Sequence, residues 1–226
     1  MKLLMSSKKK IKVIKIKSKK EIYLKIIQLI KKSLKKNDTL MIAGGKTYLN
    51  FYKFLSKKLN INSINILLTD ERLSKNILRT NNYLIKKNLP NYEKKNFFFD
   101  IKNYNFDNKN YFFKKINKHP LLKKKVSLAL IGVGMDAHIA SIFPDNKPIL
   151  KSKKLLLIKN ENDNFKRISF SLDYIKKIET IIFFFFEKKK MHLLKSLSKK
   201  IKNSYNLPFY NLLRKNKKIY IFVLKK

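Results

Sequence analysis

Short apolar runs alternate along the chain with longer stretches in which apolar residues recur at helical spacing. One run, residues 126–131, carries no charge, which predicts a strand buried on both faces, as in a parallel sheet. Another, residues 11–16, alternates with lysines and predicts an edge strand. The remaining runs of strand length are residues 39–43, 64–68, 154–158, 179–186 and 219–224.

Helices are predicted between these runs, where one side of each stretch is apolar. The predicted helices cover residues 21–36, 48–59, 79–89, 108–116, 174–178, 187–200 and 207–213. Alternating strands and helices predict an α/β fold, a mostly parallel sheet with helices on both faces. Because no repeat or linker divides the sequence, residues 1–226 are expected to form a single domain.

The glycines of the chain, four in number, all lie in two loops at predicted strand ends. Gly44 and Gly45 follow one strand, and Gly132 and Gly134 follow another. Glycine is preferred where the backbone approaches a ligand closely or adopts positive φ. Open α/β sheets bind ligands at the carboxyl ends of their strands. The functional residues are therefore expected at these two loops.

The first glycine loop has the composition of an anion site. Gly44, Gly45, Lys46 and Thr47 stand between a strand and an amphipathic helix, whose first N–H groups and dipole favour an anion. The spacing of a nucleotide P-loop is absent. The loop is interpreted as a phosphate cradle, with an ordinary strand-to-helix turn as the alternative.

The second glycine loop carries groups able to move protons. Asp136 and His138 follow Gly134, and residues 139–142 are predicted to begin a helix. The strand at 64–68 ends in a predicted loop containing Asp70 and Arg72. An acid, an imidazole and an arginine at neighbouring strand ends indicate a reaction centre.

The net charge of +41 comes from 55 basic and 14 acidic residues. Lysines occur in nearly every segment, and no zinc-ligand spacing, basic zipper or aromatic RNA-binding signature is present. We interpret the charge as compositional drift with weak, non-specific adhesion to polyanions; specific nucleic-acid binding is the alternative. Arginine is rare, and its planar fork suits phosphate and carboxylate groups. The arginines are Arg72, Arg79, Arg167 and Arg214.

Cellular location is predicted from cysteine content and apolar run length. The absence of cysteine fits a reducing cytosol. The apolar stretch at the start is too short for a signal peptide, and no apolar run is long enough to cross a bilayer. A cytoplasmic protein with no membrane partner is expected.

Five segments together resemble the 6-phosphogluconolactonase family. In this chain they are Ala-Gly-Gly-Lys-Thr at 43–47, Asp-Glu-Arg at 70–72, Asn-Asn at 81–82, Gly-Val-Gly-Met-Asp-Ala-His-Ile-Ala-Ser-Ile-Phe-Pro at 132–144 and Arg-Ile-Ser at 167–169. The match runs in order from about residue 20 to the end, and 132–144 is its most specific part. Three residues depart from the family pattern: Lys46 replaces a small residue, and Ala137 and Glu187 each replace a glycine.

The resemblance implies a three-layer, Rossmann-like α/β domain that hydrolyses 6-phospho-D-glucono-1,5-lactone to 6-phospho-D-gluconate in the oxidative pentose phosphate pathway. It implies His138 as general base, with Asp136 or Asp70 orienting the imidazole or holding sugar hydroxyls. The implied substrate-binding residues are Gly44, Gly45, Lys46, Thr47, Arg72, Asn82, Arg167 and Lys190. Arg72 is expected to hold either the phosphate or the developing oxyanion. A monomer without metal or cofactor is expected.

The nearest alternative is a glucosamine-6-phosphate deaminase/isomerase, because the chain also resembles that family in the segment of glycines, aspartate and histidine. That family continues with Ala-Phe-Asn-Glu-Pro and has a tyrosine after Asp-Glu. Here 140–144 lacks both the asparagine and the glutamate, and Arg72 stands in place of the tyrosine. The lactonase is therefore preferred. A non-enzymatic basic protein that binds polyanions and an inactive lactonase are also compatible with the sequence.

Overall fold

The computed structural model describes most of the chain. The described residues are 10–90, 97–98, 116, 118–144, 154–159, 166–198, 207–215 and 218–225. The helix predicted at 108–116 lies outside them, apart from residue 116. Of the helices in this part of the chain, none is both long and apolar enough to cross a membrane.

A parallel sheet forms the centre of the described structure. The strands, taken along the chain, are β1 (Lys10–Ile16), β2 (Thr39–Ile42), β3 (Asn65–Leu68), β4 (Asp70–Leu73), β5 (Phe97–Phe98), β6 (Val126–Leu130), β7 (Leu155–Lys159), β8 (Lys166–Phe170), β9 (Thr180–Phe185) and β10 (Lys218–Leu224). Seven form one sheet in the order β1–β10–β9–β6–β2–β3–β5, with every neighbouring pair parallel. Every residue of β2, β3 and β9 is buried, so both faces of the sheet are covered at its centre.

The helices connect these strands, as the apolar periodicity predicted. They are α1 (Lys19–Ser33), α2 (Lys46–Lys58), α3 (Asn81–Asn88), α4 (Leu172–Ile175), α5 (Met191–Ser198) and α6 (Pro208–Lys215). Hydroxyl caps set three of the starts, since Ser18 Oγ accepts from the Glu21 N–H, Thr80 Oγ1 from the Tyr83 N–H and Ser171 Oγ from the Tyr174 N–H. The Ser171 cap starts α4 earlier than predicted. The α/β class and the mostly parallel sheet are confirmed.

The lysine-alternating strand β1 lies at an edge of the parallel sheet, as predicted. Of the described strands it pairs with β10 alone, in a register from Lys10 opposite Lys218 to Ile16 opposite Leu224. Lys12 and Lys15 are exposed, whereas Ile16 is buried. Charged side chains on an edge strand discourage pairing with another chain.

A second, three-stranded sheet corrects the prediction that residues 70–72 form a loop. Here β4 pairs with β8, and β8 with β7, all antiparallel. Thr69 is the crossing point between the two sheets. Its N–H donates to Ile42 O at the end of β2, and its carbonyl accepts from the Phe170 N–H at the end of β8. The chain therefore leaves the parallel sheet at Thr69 and immediately enters the smaller one.

The segment after β6 is also different from the prediction, because residues 139–142 do not begin a helix. Ile139 instead makes isolated antiparallel bridges with Val133 and Ile142. Ala137 and Ala140 have φ of 67° and 51°, in the left-handed region that a right-handed helix cannot contain. The segment is therefore a compact, irregular loop.

Candidate active site

A cavity of about 310 Å³ opens at the carboxyl ends of β2, β6 and β9, which are neighbours in the parallel sheet. Residues from the two glycine loops, from β4 and β8 of the smaller sheet and from the segment after β9 line it. The predicted site residues in its wall are Gly44, Gly45, Lys46, Thr47, Asp70, Arg72, His138, Arg167 and Lys190. Asp136 and Asn82 do not line it.

The first glycine loop forms one side of the cavity and leads directly into α2. Gly45 is the N-cap of this helix and supplies no side-chain cap. The first N–H groups of α2 are therefore available to a ligand, as an anion site requires. Gly44 is constrained by packing, because a Cβ atom there would collide with the side chain of Asn81.

His138 and Asp136 form a pair in the second glycine loop. Oδ1 of Asp136 lies 2.6 Å from Nδ1 of His138 and also accepts the His138 N–H at 3.2 Å. A Cβ atom at Gly134 would collide with both side chains, so a glycine is needed there. Because a carboxylate oxygen accepts and does not donate, Nδ1 carries the proton of this hydrogen bond. Nε2 is then the nitrogen able to take a proton.

Phe143 packs against the side chains of two predicted site residues, His138 and Arg167. Its ring centroid lies 4.8 Å from that of His138 and 6.0 Å from the guanidinium carbon of Arg167. Arg167 belongs to β8, and Phe143 ends the loop after β6. The aromatic ring thus joins the imidazole to the arginine across the two sheets, and each side chain limits the movement of the other.

Asp70 is a buried acid whose carboxylate oxygens accept hydrogen bonds from hydroxyl groups. Its Oδ1 accepts from Thr69 Oγ at 2.7 Å, and its Oδ2 accepts from Ser141 Oγ at 2.6 Å. The Ser141 N–H in turn donates to Ser169 Oγ. Asp70 therefore ties β4 to the loop after β6. Of the two acids proposed to orient the imidazole, only Asp136 is hydrogen-bonded to it.

Arg72 and Arg167 occupy directly opposite positions in the β4–β8 pair, and both line the cavity. Side chains of opposite residues in an antiparallel pair lie on the same face, and like charges there are destabilising. An anion held by both guanidinium groups would offset that repulsion. Arg72 also donates from Nη1 to Arg79 O at 3.2 Å, which restricts its orientation.

At the start of α3, Asn81 lines the cavity, whereas Asn82, the predicted binding residue, does not. Asn81 Nδ2 donates to Asp70 O at 3.0 Å, which directs this side chain toward the cavity. Each helical residue is rotated by about 100° from the one before it, so Asn82 points elsewhere.

Glu71 fixes the start of α3 through hydrogen bonds to its first N–H groups. Its completely buried carboxylate accepts the N–H groups of Arg72, Asn81 and Asn82 at 2.6 to 2.7 Å. Burial raises the pKa of Glu71 to about 7, although the three N–H donors act in the opposite direction. Glu71 thus fixes the position of Asn81, whose side chain packs against Gly44.

Comparison with known proteins identifies the family. The family model described as glucosamine-6-phosphate isomerases/6-phosphogluconolactonase matches residues 16–221. The chain belongs to this family. A curated relative, the 6-phosphogluconolactonase of Helicobacter pylori, is 29% identical over 96 residues, and that match spans 42% of each of the two chains.

Solved structures of the glucosamine-6-phosphate isomerase/6-phosphogluconolactonase family share the fold. The 6-phosphogluconolactonase of Thermotoga maritima superposes with a TM-score of 0.75 at 21% identity, covering 95% of this chain and 99% of its own. That of Shewanella baltica gives 0.78 at 17%, covering 96% and 98%. A monomeric glucosamine-6-phosphate deaminase gives 0.75 at 16%, covering 94% and 96%. Proteins named as a lactonase and as a deaminase therefore share this architecture.

Among the cavity residues outside the predicted set are Asn81, Tyr48 and Phe184. The Tyr48 hydroxyl donates to Ile131 O at 2.5 Å, and its ring centroid lies 4.3 Å from that of Phe184. Burial raises the pKa of Tyr48, so the phenol stays protonated and contributes its ring to the wall. In the sequence, the Asn81–Asn82 pair could have indicated Asn81 as a site residue. The apolar patterns of α2 and β9 gave no such signal for the two aromatic residues.

Among the described residues, no group of three or more His, Cys, Asp or Glu side chains is arranged to hold a metal ion. The charged residues lining the cavity are the cations Lys46, Arg72, Arg167 and Lys190 and the anions Asp70 and Glu187. The cavity is therefore predominantly cationic and suits an anionic ligand.

Proposed function

We propose that this chain hydrolyses 6-phospho-D-glucono-1,5-lactone to 6-phospho-D-gluconate. The proposal rests on one observation: the imidazole of His138, which is held in a fixed orientation, lines the same cavity as the arginine pair Arg72 and Arg167. A lactone that bears a phosphate needs these two groups, a base for water and an anchor for the phosphate. The Helicobacter pylori relative, named a 6-phosphogluconolactonase, supports the same substrate.

In the proposed reaction, His138 acts on a water molecule. Nε2 removes a proton as the water oxygen attacks the lactone carbonyl carbon, whose oxygen becomes an oxyanion. Collapse of this intermediate breaks the bond between that carbon and the ring oxygen. The ring oxygen leaves as the sugar hydroxyl, taking up the proton that His138 holds. Asp136 keeps the imidazole in the tautomer that accepts at Nε2.

The phosphate is assigned to the cationic side of the cavity. Arg72 and Arg167 would bind its oxygens through their forked donors, and the first N–H groups of α2 with Lys46 and Thr47 would complete the anchor. We assign Lys190 to the same anchor. Asn81, instead of Asn82, would donate to the substrate from the start of α3.

A continuous assay on purified protein tests the proposal. The loss of freshly prepared lactone is followed through oxidation of the 6-phosphogluconate formed, above the spontaneous hydrolysis rate at the same pH. Ammonia release from glucosamine 6-phosphate is measured in parallel, because a glucosamine-6-phosphate deaminase has the same fold. Ammonia release without lactone hydrolysis would replace the proposal with the deaminase. Absence of both activities would favour an inactive or purely binding protein.

We further propose that the enzyme acts in the cytoplasm as a monomer formed by a single domain. The absence of cysteine fits a reducing compartment. The cavity takes its wall from residues between Ala43 and Lys190 of one chain, so one copy supplies the base and the phosphate anchor. With its lysines spread along the sequence, we expect DNA binding to be weak and to disappear at moderate salt.

A further inference from the structure

Glu187 places a carboxylate in the wall of the predominantly cationic cavity. It follows β9 at the carboxyl edge of the parallel sheet and is the N-cap residue of a short 3₁₀ helix, Lys188–Lys190. Its Oε1 lies 3.3 Å from Nζ of Lys190, and its Oε2 lies 3.5 Å from Nζ of Lys189.

The two lysines differ in their position relative to the cavity. The Lys190 side chain is only 15% exposed and lines the cavity, whereas that of Lys189 is 69% exposed and does not. Attraction between partly buried charges is screened less than attraction between exposed ones. The pair of Glu187 with Lys190 is therefore the one that affects a ligand in the cavity.

We propose that Glu187 determines ligand specificity by lowering the affinity of the cavity for doubly charged anions. An incoming phosphate must compete with the Glu187 carboxylate for Lys190, and it is also repelled by that carboxylate. Both effects increase with ligand charge, so an uncharged sugar lactone is little affected. This inference rests on the proposed function for its substrate, although phosphate binding tests it without catalysis.

Glu179 offers a matched control at the other end of the same strand. It immediately precedes β9, at the amino edge of the sheet, and it does not line the cavity. Its carboxylate also pairs with two lysines, at 3.0 Å from Lys218 and 3.8 Å from Lys125. The side chains of Glu179 and Glu187 are 43% and 41% exposed. Substituting either one changes the net charge of the protein equally.

The experiment compares the wild type with Glu187→Gln and Glu179→Gln. Dissociation constants for inorganic phosphate and for 6-phosphogluconate are measured by titration calorimetry at low and high salt. We expect Glu187→Gln to bind both anions about three- to tenfold more tightly at low salt, with a steeper loss of affinity as salt rises. Glu179→Gln should stay within about twofold of the wild type, because its charge lies at the opposite edge of the sheet.

Steady-state kinetics separate this inference from the proposed function. If the wild type hydrolyses the phosphorylated lactone, Glu187→Gln should lower its KM without changing the KM for glucono-1,5-lactone. Phosphate binding by Glu187→Gln that is unchanged, weaker or undetectable would overturn the inference while leaving the lactonase proposal intact. An equal gain of affinity in both variants would overturn it as well, since net charge alone would explain the result. A protein without lactonase activity that still shows the predicted phosphate binding would refute only the proposed function.

Discussion

His138 and Asp136 are joined by a 2.6 Å contact between Nδ1 and Oδ1, although only one residue separates them in the chain. The turn that permits this contact is closed by the Ala137 N–H, which donates to Gly134 O, and by the Gly134 N–H, which donates to His138 O. Ala137 adopts φ of 67° within this turn. The orientation of the imidazole therefore depends on a backbone conformation that alanine adopts at a cost.

Replacing His138 tests the general base. His138→Asn keeps a similar size and some hydrogen bonding but cannot take a proton near neutral pH. We expect kcat for the lactone to fall by about 10²- to 10⁴-fold, with KM changed much less, because the phosphate anchor lies elsewhere. Rates are taken above spontaneous hydrolysis. Near-normal turnover in His138→Asn would mean that the base is another residue.

Replacing Asp136 tests the orientation of the imidazole. An amide in Asp136→Asn can direct its NH₂ group at Nδ1, which favours the tautomer with the proton on Nε2. We expect kcat to fall by about 10- to 10³-fold, less than for loss of the base itself. Asp173→Asn, at an exposed acid on α4, serves as the control. Equal kcat values in Asp136→Asn and the wild type would assign Asp136 a role in loop structure alone.

Arg167→Ala tests the phosphate anchor. Arg167 lines the cavity opposite Arg72, and its loss removes binding that is common to the ground state and the transition state. We expect KM to rise by about 10- to 100-fold with kcat nearly unchanged, the loss that follows removal of a charge-assisted hydrogen-bonding pair. Arg214→Ala, at an exposed position on α6, should leave both constants unchanged. A fall in kcat with an unchanged KM would instead place Arg167 at the reacting carbonyl.

Ala137→Gly tests the backbone cost in the His138 loop. Ala137 and Ala129 are both fully buried, but only Ala137 has positive φ. Glycine relieves the left-handed strain of about 1 kcal/mol at Ala137. Both substitutions raise the conformational entropy of the unfolded chain and remove a buried methyl group, which costs about 1 kcal/mol. In Ala137→Gly the relief of strain offsets this cost, whereas in Ala129→Gly nothing does. Urea unfolding should therefore show Ala129→Gly destabilised and Ala137→Gly as stable as the wild type or slightly more so. Equal destabilisation of both variants would contradict this account.

Glu71 gives a pH dependence of stability with a defined sign. Its pKa is raised from 4.5 to about 7 by burial, so the folded state keeps a proton that the unfolded chain releases between these values. The stabilisation from this group is complete below the lower value and is lost as pH rises through the upper one. Glu71→Gln cannot titrate. Its free energy of unfolding, relative to the wild type, should therefore be higher at about pH 8 than at about pH 5. A difference that is the same at both pH values, measured by urea unfolding, would show that Glu71 is ionised across this range.

Much of the site was predictable because parallel strands bring their carboxyl ends to the same edge of a sheet. The loops containing Gly44 and His138 follow β2 and β6, which are adjacent in the sheet, so their meeting follows from local strand patterns. The edge position of β1 was equally visible in its alternating lysines. These features depend on the order of apolar and polar residues over a few positions, which the sequence states directly.

Other parts of the site depend on contacts between segments that are distant in the chain. The pairing of β4 with β8, which sets Arg72 opposite Arg167, has no local signal, because a three-residue charged stretch fits a loop equally well. The choice of Asn81 over Asn82 at the cavity depends on the helical rotation at the start of α3, where Glu71 receives three N–H groups. The burial and hydroxyl partners of Asp70 likewise arise only when Ser141 is brought to it.

Local patterns along the chain thus specify the α/β class, the strand edge where the cavity forms and the residue types available there, because hydrophobic periodicity and glycine position are local properties. The tertiary structure decides which acid is hydrogen-bonded to His138 and which arginines lie opposite each other. It also places Glu187 and Lys190 together as an ion pair in the cavity wall. Those relationships are set by distances of a few ångströms between side chains, and spacing along the chain does not specify them.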